Sequence, residues 1–219
     1  MYGLILDMDG VLIDSAAPHW ESWKLLGDEI GVPVSEQQFR ETFGRSNRDI
    51  VPLLFGRDDE ASIRRLSDRK EELYRDLIRG HVPAVDGAAD LVRGCHDAGF
   101  KLAIGSSGPR ENVELVLAGM RIAPYFQTLV TAGQVTRGKP DPQVFELAAE
   151  GLGVSPGRCA VVEDAPAGIE AALAAGATAI ALATTHPPER LHRAHHVVTT
   201  MRALSAGLIE QWIRQRPGG

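Results

Sequence analysis

Gly3-Leu4-Ile5-Leu6-Asp7-Met8-Asp9-Gly10-Val11 is an apolar run that stops abruptly at two carboxylates and a glycine. An unbroken apolar run of this length, without alternation, reads as a strand buried on both faces, which is the habit of a parallel sheet covered by helices. The same reading fits Leu102-Ala103-Ile104, Thr128-Leu129-Val130, Ala160-Val161-Val162, Ala179-Ile180-Ala181-Leu182 and His196-Val197-Val198. Between these runs the apolar residues fall at helical spacing, as in Ala88-Leu91-Val92-Cys95, Val113-Val116-Leu117, Val144-Leu147-Ala148 and Ile169-Ala172-Leu173. Gly99, Gly119, Gly151 or Gly153, and Gly176 stand where those helices should stop. The predicted fold class is α/β, a Rossmann-like parallel-sheet core with helices on both faces.

Residues 15–82 break this rhythm. Trp20, Trp23, Leu26 and Ile30 share helical spacing, Val32-Pro33 interrupts it, and Glu36 to Phe43 and Ala61 to Arg79 read as further helices with no strand among them. The expected organisation is therefore a core of residues 1–14 and 83–219 with an all-helical insertion, residues 15–82, directly after the first strand. Asp14-Ser15 and Val82-Pro83 are the expected hinge, and Arg214 to Gly219 the expected frayed tail.

Composition limits the function. With 44% hydrophobic and 24% charged residues, the 219-residue chain reads as an ordinary globular protein. A net charge of −6 argues against a broad grip on nucleic acid. Two cysteines make no disulfide framework, and Cys159 reads as a small core residue. No signal peptide or membrane span is legible, so the expectation is a cytoplasmic protein, a monomer or weak oligomer, without a membrane partner.

In open parallel sheets, ligands bind beyond the carboxyl ends of the strands. Asp7 and Asp9 lie there, and two such close carboxylates either share a cation or hold a proton between them, giving a magnesium site or a general acid. A solvated Asp-Gly turn is the plainer alternative. Ser106 and Ser107 follow another strand and offer hydroxyls and amides to a phosphoryl group, although an ordinary helix cap has the same look. Glu163-Asp164 follow a third strand, and Gly138-Lys139-Pro140-Asp141-Pro142 presents one lysine from a stiff loop. Gly133 to Lys139 imitates a Walker A loop, but Pro140 follows the lysine where a hydroxyl is required, which excludes it.

Taken together and in this order, these segments resemble the haloacid dehalogenase superfamily of aspartate-nucleophile phosphotransferases over essentially the whole chain. The resemblance implies that Asp7 attacks phosphorus and that Asp9 protonates the leaving oxygen and then activates water. It implies that Ser106, Ser107 and Lys139 hold the phosphoryl oxygens. It implies Mg2+ as cofactor, held by Asp7, the backbone carbonyl of Asp9 and Asp164, with Glu163 in or near the shell. Dehalogenation itself is disfavoured, since it needs no leaving-group acid and Asp9 is present.

The insertion resembles the helical cap of the phosphatase and beta-phosphoglucomutase branch. His19 and Lys70 match the mutase pattern there, as does Trp23, although a core position is the better reading of that tryptophan. One position departs: where the mutases carry an arginine for a second phosphate, this chain has Asn47, flanked by Arg45 and Arg48. Losing a bidentate phosphate clamp weakens bisphosphate handling more than monoester hydrolysis. The expected activity is therefore a magnesium-dependent phosphatase acting on a small phosphorylated metabolite such as a sugar phosphate. A beta-phosphoglucomutase-like isomerase is the alternative, and His19, Asn47 and Lys70 are the expected cap contacts to substrate.

Overall fold

The computed structural model describes residues 1–42 and 45–216. Among them, the strands are β1 Gly3–Leu6, β2 Lys101–Gly105, β3 Phe126–Val130, β4 Cys159–Glu163, β5 Thr178–Leu182 and β6 His196–Val198. They form one parallel sheet in the order β3-β2-β1-β4-β5-β6. Every residue of β1, β4 and β5 is buried, as expected of apolar runs covered on both faces, whereas the edge strands β3 and β6 are largely half-buried. Leu4 lies opposite Leu102 on one side and Ala160 on the other, so the strand order turns around at β1. That reversal opens a crevice at the carboxyl ends of β1 and β4, where this topology places ligands.

The chain divides into two compact units, Met1–Asp14 with Pro83–Gly219, and Ser15–Val82. The second unit holds α1 Ala16–Glu29, α2 Glu36–Thr42, α3 Asn47–Phe55 and α4 Glu60–Ile78. Trp23, Leu26, Val51, Leu54, Phe55 and Leu66 form much of its core. Helix α3 is not legible in the sequence, being short and carrying Pro52 in its interior. It starts because the Ser46 side chain caps it by accepting from the Asp49 amide. Phe43, the expected end of the second helix, lies outside the described residues.

The first unit holds α5 Ala88–Asp97, α6 Arg110–Gly119, α7 Gln143–Leu152, α8 Pro166–Ala174 and α9 Ala206–Gln215. Gly153, at a left-handed φ of 62°, is the residue that stops α7, and Gly151 lies inside the helix. Where the chain leaves and re-enters this unit, two short segments pair: Asp14 N donates to Pro83 O at 2.8 Å and Val85 N to Leu12 O at 2.9 Å. The tail expectation needs correction. Arg214 belongs to α9 and donates to the Tyr2 hydroxyl at 2.9 Å, and Arg216 donates to Gly176 O at 2.6 Å. These residues are anchored by their guanidinium groups, and 217–219 lie outside the described residues. No helix among the described residues is long and apolar enough to cross a membrane.

Candidate active site

The turn after β1 is fixed by backbone hydrogen bonds. Asp7 N donates to Val162 O at 3.1 Å, tying the first carboxylate to the neighbouring strand, and Gly10 N donates to Ile13 O at 2.8 Å. Gly10 adopts φ +70°, and a Cβ there would strike the Asp164 carboxylate, so two loops meet at a position that only glycine suits.

Three carboxylates converge at the crevice. Asp7, Glu163 and Asp164 are buried, and each offers an oxygen within 4.8 Å of the others. Lys139 reaches in from its loop, with Nζ 3.0 Å from Asp7 Oδ1 and 2.6 Å from Glu163 Oε1, and 4.9 Å above the Phe145 ring. The other oxygen of Glu163, Oε2, accepts from the amides of Asp164 and Ala165, each at 2.8 Å. Glu163 is thus held by the start of α8 and in turn holds the lysine.

The electrostatics follow from this packing. Burial pushes the Asp7 carboxyl up, Lys139 pulls against it, and Glu163 and Asp9 push the same way as burial, leaving it at about 7. Burial also lifts Asp164 well above the carboxylate range, with Glu163 and Asp7 adding to the effect. Burial alone would lower the Lys139 ammonium, but Asp7 and Glu163 outweigh it and hold the group above its ordinary value. Three buried acids crowd this one ammonium, a hard dication would displace the protons that Asp7 and Asp164 hold, and an all-oxygen donor set fits magnesium.

Ser106 is buried at the end of β2, its amide donating to Val130 O at 3.0 Å, while its hydroxyl accepts from Gly108 N at 3.0 Å. A Cβ on Gly108 would lie 3.4 Å from Ser106 Oγ and 4.0 Å from Asp9 Oδ2, so the half-buried Asp9 carboxylate and the Ser106 hydroxyl flank one glycine. Ser107 is exposed.

Two hydroxyls at this end of the sheet lie outside the residues that the sequence singles out. Thr184 Oγ1 donates to Gly10 O at 2.6 Å, and Thr185 Oγ1 donates to Asp164 Oδ2. Both closely follow the buried strand β5, the same signal that marks Asp7, Ser106 and Glu163. Near the C-terminus the exposed His195 accepts through Nδ1 from Ala179 N at 3.0 Å, and His196 stacks on Trp212 with centroids 3.9 Å apart.

The helical unit has its own polar cluster. His19 on α1, Asn47 on α3 and Lys70 on α4 come together with Glu71, a residue that the sequence does not single out. Trp23, by contrast, is 2% exposed and belongs to the core.

A model of haloacid dehalogenase-like hydrolases matches residues 2–176, and the chain belongs to that family. It is 34% identical over 200 residues to validoxylamine A 7'-phosphate phosphatase of Streptomyces hygroscopicus subsp. limoneus, covering 89% of this chain and 92% of that one. It is 31% identical to beta-phosphoglucomutase of Bacillus subtilis, covering 85% of each. Among solved structures, a HAD hydrolase of family IA, variant 3, from Entamoeba histolytica superposes with a TM-score of 0.90 at 25% identity, covering 98% of this chain and 100% of that chain.

Proposed function

We infer that the protein hydrolyses a small phosphate monoester, a sugar phosphate by preference, with Asp7 as nucleophile. The observation that carries this reading is the pairing of Asp7 with Lys139 inside a buried acidic cluster at the sheet's crevice. A pure anion-binding site has no use for carboxylates facing its ligand, whereas an attacking carboxylate needs a cation beside it to meet a charged ester. The phosphatase and mutase relatives support the same chemistry.

In the first step an Asp7 oxygen forms a bond to phosphorus, the bond to the ester oxygen breaks, and Asp9 gives that oxygen its proton. In the second step water gives a proton to Asp9 and bonds to phosphorus, and the Asp7 acyl phosphate breaks to release inorganic phosphate. Ser106, which already accepts from Gly108, has its own hydroxyl proton to offer a phosphoryl oxygen, with Ser107 beside it. Lys139 places its charge beside the nucleophile, and Glu163 holds it there. Asp7, the backbone carbonyl of Asp9 and Asp164 would hold Mg2+, with Glu163 in or near the shell, which leaves the Asp9 carboxyl to carry the proton. When bound, the dication supplies charge that favours ionised Asp7 and offsets the phosphoryl oxygens.

Residues 15–82 act as a cap hinged at Asp14-Ser15 and Val82-Pro83 on the core of residues 1–14 and 83–219, with His19, Asn47 and Lys70 contacting the substrate beyond its phosphate. The cluster's cost supports that role, since burying a lysine and a glutamate in a helical bundle adds little stability over apolar packing. The protein is read as a cytoplasmic monomer or weak oligomer. A mutase activity is the second reading, favoured by the His19–Lys70 contact of 2.7 Å.

Phosphate release from a panel of sugar phosphates, with and without magnesium, tests the proposal. Magnesium-dependent release that needs no bisphosphate primer is expected. Interconversion of hexose 1- and 6-phosphates only when a sugar bisphosphate is added would replace hydrolase by mutase.

A further inference from the structure

The polar cluster of the helical unit is organised around one residue. Glu71 Oε1 accepts from Lys70 Nζ at 2.8 Å and from Asn47 Nδ2 at 2.7 Å. Lys70 is 1% exposed, sits 5.5 and 5.2 Å from the Trp23 and Tyr74 ring centroids, and makes a second polar contact with His19 Nδ1 at 2.7 Å. An ammonium only donates, so His19 Nδ1 is the acceptor in this contact. His19 is held in that pose by stacking on Tyr74, with centroids 4.2 Å apart and planes 15° apart.

We propose that Glu71 is a specificity-determining residue: by engaging both Lys70 and Asn47, it makes the cap cluster favour an uncharged polyol end and reject a second phosphate. The proposal rests on the reading of His19, Asn47 and Lys70 as substrate contacts. A lysine in an aromatic setting would by itself draw any anion. With the Glu71 carboxylate bonded to it, an arriving phosphate must either displace Glu71 or lie within a few ångströms of a like charge. A hydroxyl meets no such penalty, because it donates to a carboxylate and accepts from an ammonium or amide at little cost. Three helices contribute to an arrangement that stability does not require, which points to selection for what it binds.

The test compares kcat/KM for glucose 6-phosphate and glucose 1,6-bisphosphate in the wild type, Glu71→Gln and Asn47→Arg. The Glu71→Gln change keeps an oxygen for Asn47 and Lys70 while removing the negative charge, and the Asn47→Arg change sets a guanidinium against that charge. The wild type should prefer the monophosphate by about tenfold or more, and each variant should shrink that ratio by about tenfold, the order expected of one unit charge nearby. Parallel losses on both esters with the ratio unmoved would overturn the proposal and make Glu71 merely structural. If one variant fails to fold, judged by its thermal melt, the other decides. No hydrolysis of any ester by the wild type would instead overturn the phosphatase reading on which the proposal stands.

Discussion

Lys139 Nζ lies 3.0 Å from Asp7 Oδ1, joining two residues 132 positions apart in the chain. The loop after β3 thus supplies a cationic partner for a carboxylate at the end of β1, and Glu163 at the end of β4 accepts from the same nitrogen. Two strand ends and a loop, far apart in the chain, are fixed to one another by a single ammonium.

Replacing that ammonium should therefore damage stability and chemistry together. Lys139→Met keeps a side chain of similar length but removes the charge, and with it the ammonium's contact with the Phe145 ring, from a position only 10% exposed. Breaking a buried pair in this way costs about 3 kcal/mol, and kcat/KM should fall about 100-fold or more. Thermal melts and phosphate release measure both. A variant as stable and as active as the parent would remove Lys139 from the site.

The pH dependence has a defined sign. In the metal-free protein Asp7 titrates near 7, above its unfolded value, so the folded state holds the proton more tightly. Its contribution to stability is present below the unfolded carboxylate range near pH 4 and is lost as pH rises toward 7. Asp164 is raised in the same direction. Magnesium competes with these protons, so its stabilising shift in melting temperature should be larger at about pH 8 than at about pH 5. An equal shift at both values would mean that the ion does not bind these acids.

Thr185 donates to Asp164 and so orients a carboxylate whose own backbone sits in the turn before α8. Thr185→Val should weaken magnesium binding about 10- to 100-fold, read by titrating the ion against the melting temperature, while Thr185→Ser restores it. Unchanged magnesium affinity in the valine variant would show that Asp164 needs no help from its neighbour.

Much of the core is legible in the sequence because its strands are continuous apolar runs. Gly3–Leu6 and His196–Val198 are strands over the same residues that the sequence marks. The start of β3 is not legible, because Gln127 interrupts the run on an edge strand whose surroundings do not demand burial. Helix α3 carries too few turns for its period to stand out, and α9 follows a stretch without apolar rhythm. Asp7, Ser106 and Glu163 can be named because chemistry at the end of a buried strand is conspicuous. Thr184 and Thr185 obey the same rule, but hydroxyls after a strand look like ordinary turn residues. Glu71 is hidden for a different reason. It is one of many charges on α4, and only its burial and a partner 24 residues away distinguish it.

The claim that Asp7 is the nucleophile is tested most directly by trapping the covalent intermediate. The protein is mixed with a good monoester substrate and magnesium, quenched in acid within a turnover, and mapped by mass spectrometry. The account predicts one added phosphoryl group on the peptide carrying Asp7, and neither that group nor phosphate release in Asp7→Asn. Phosphate release that persists in Asp7→Asn, or a phosphoryl group found on another residue, would contradict it.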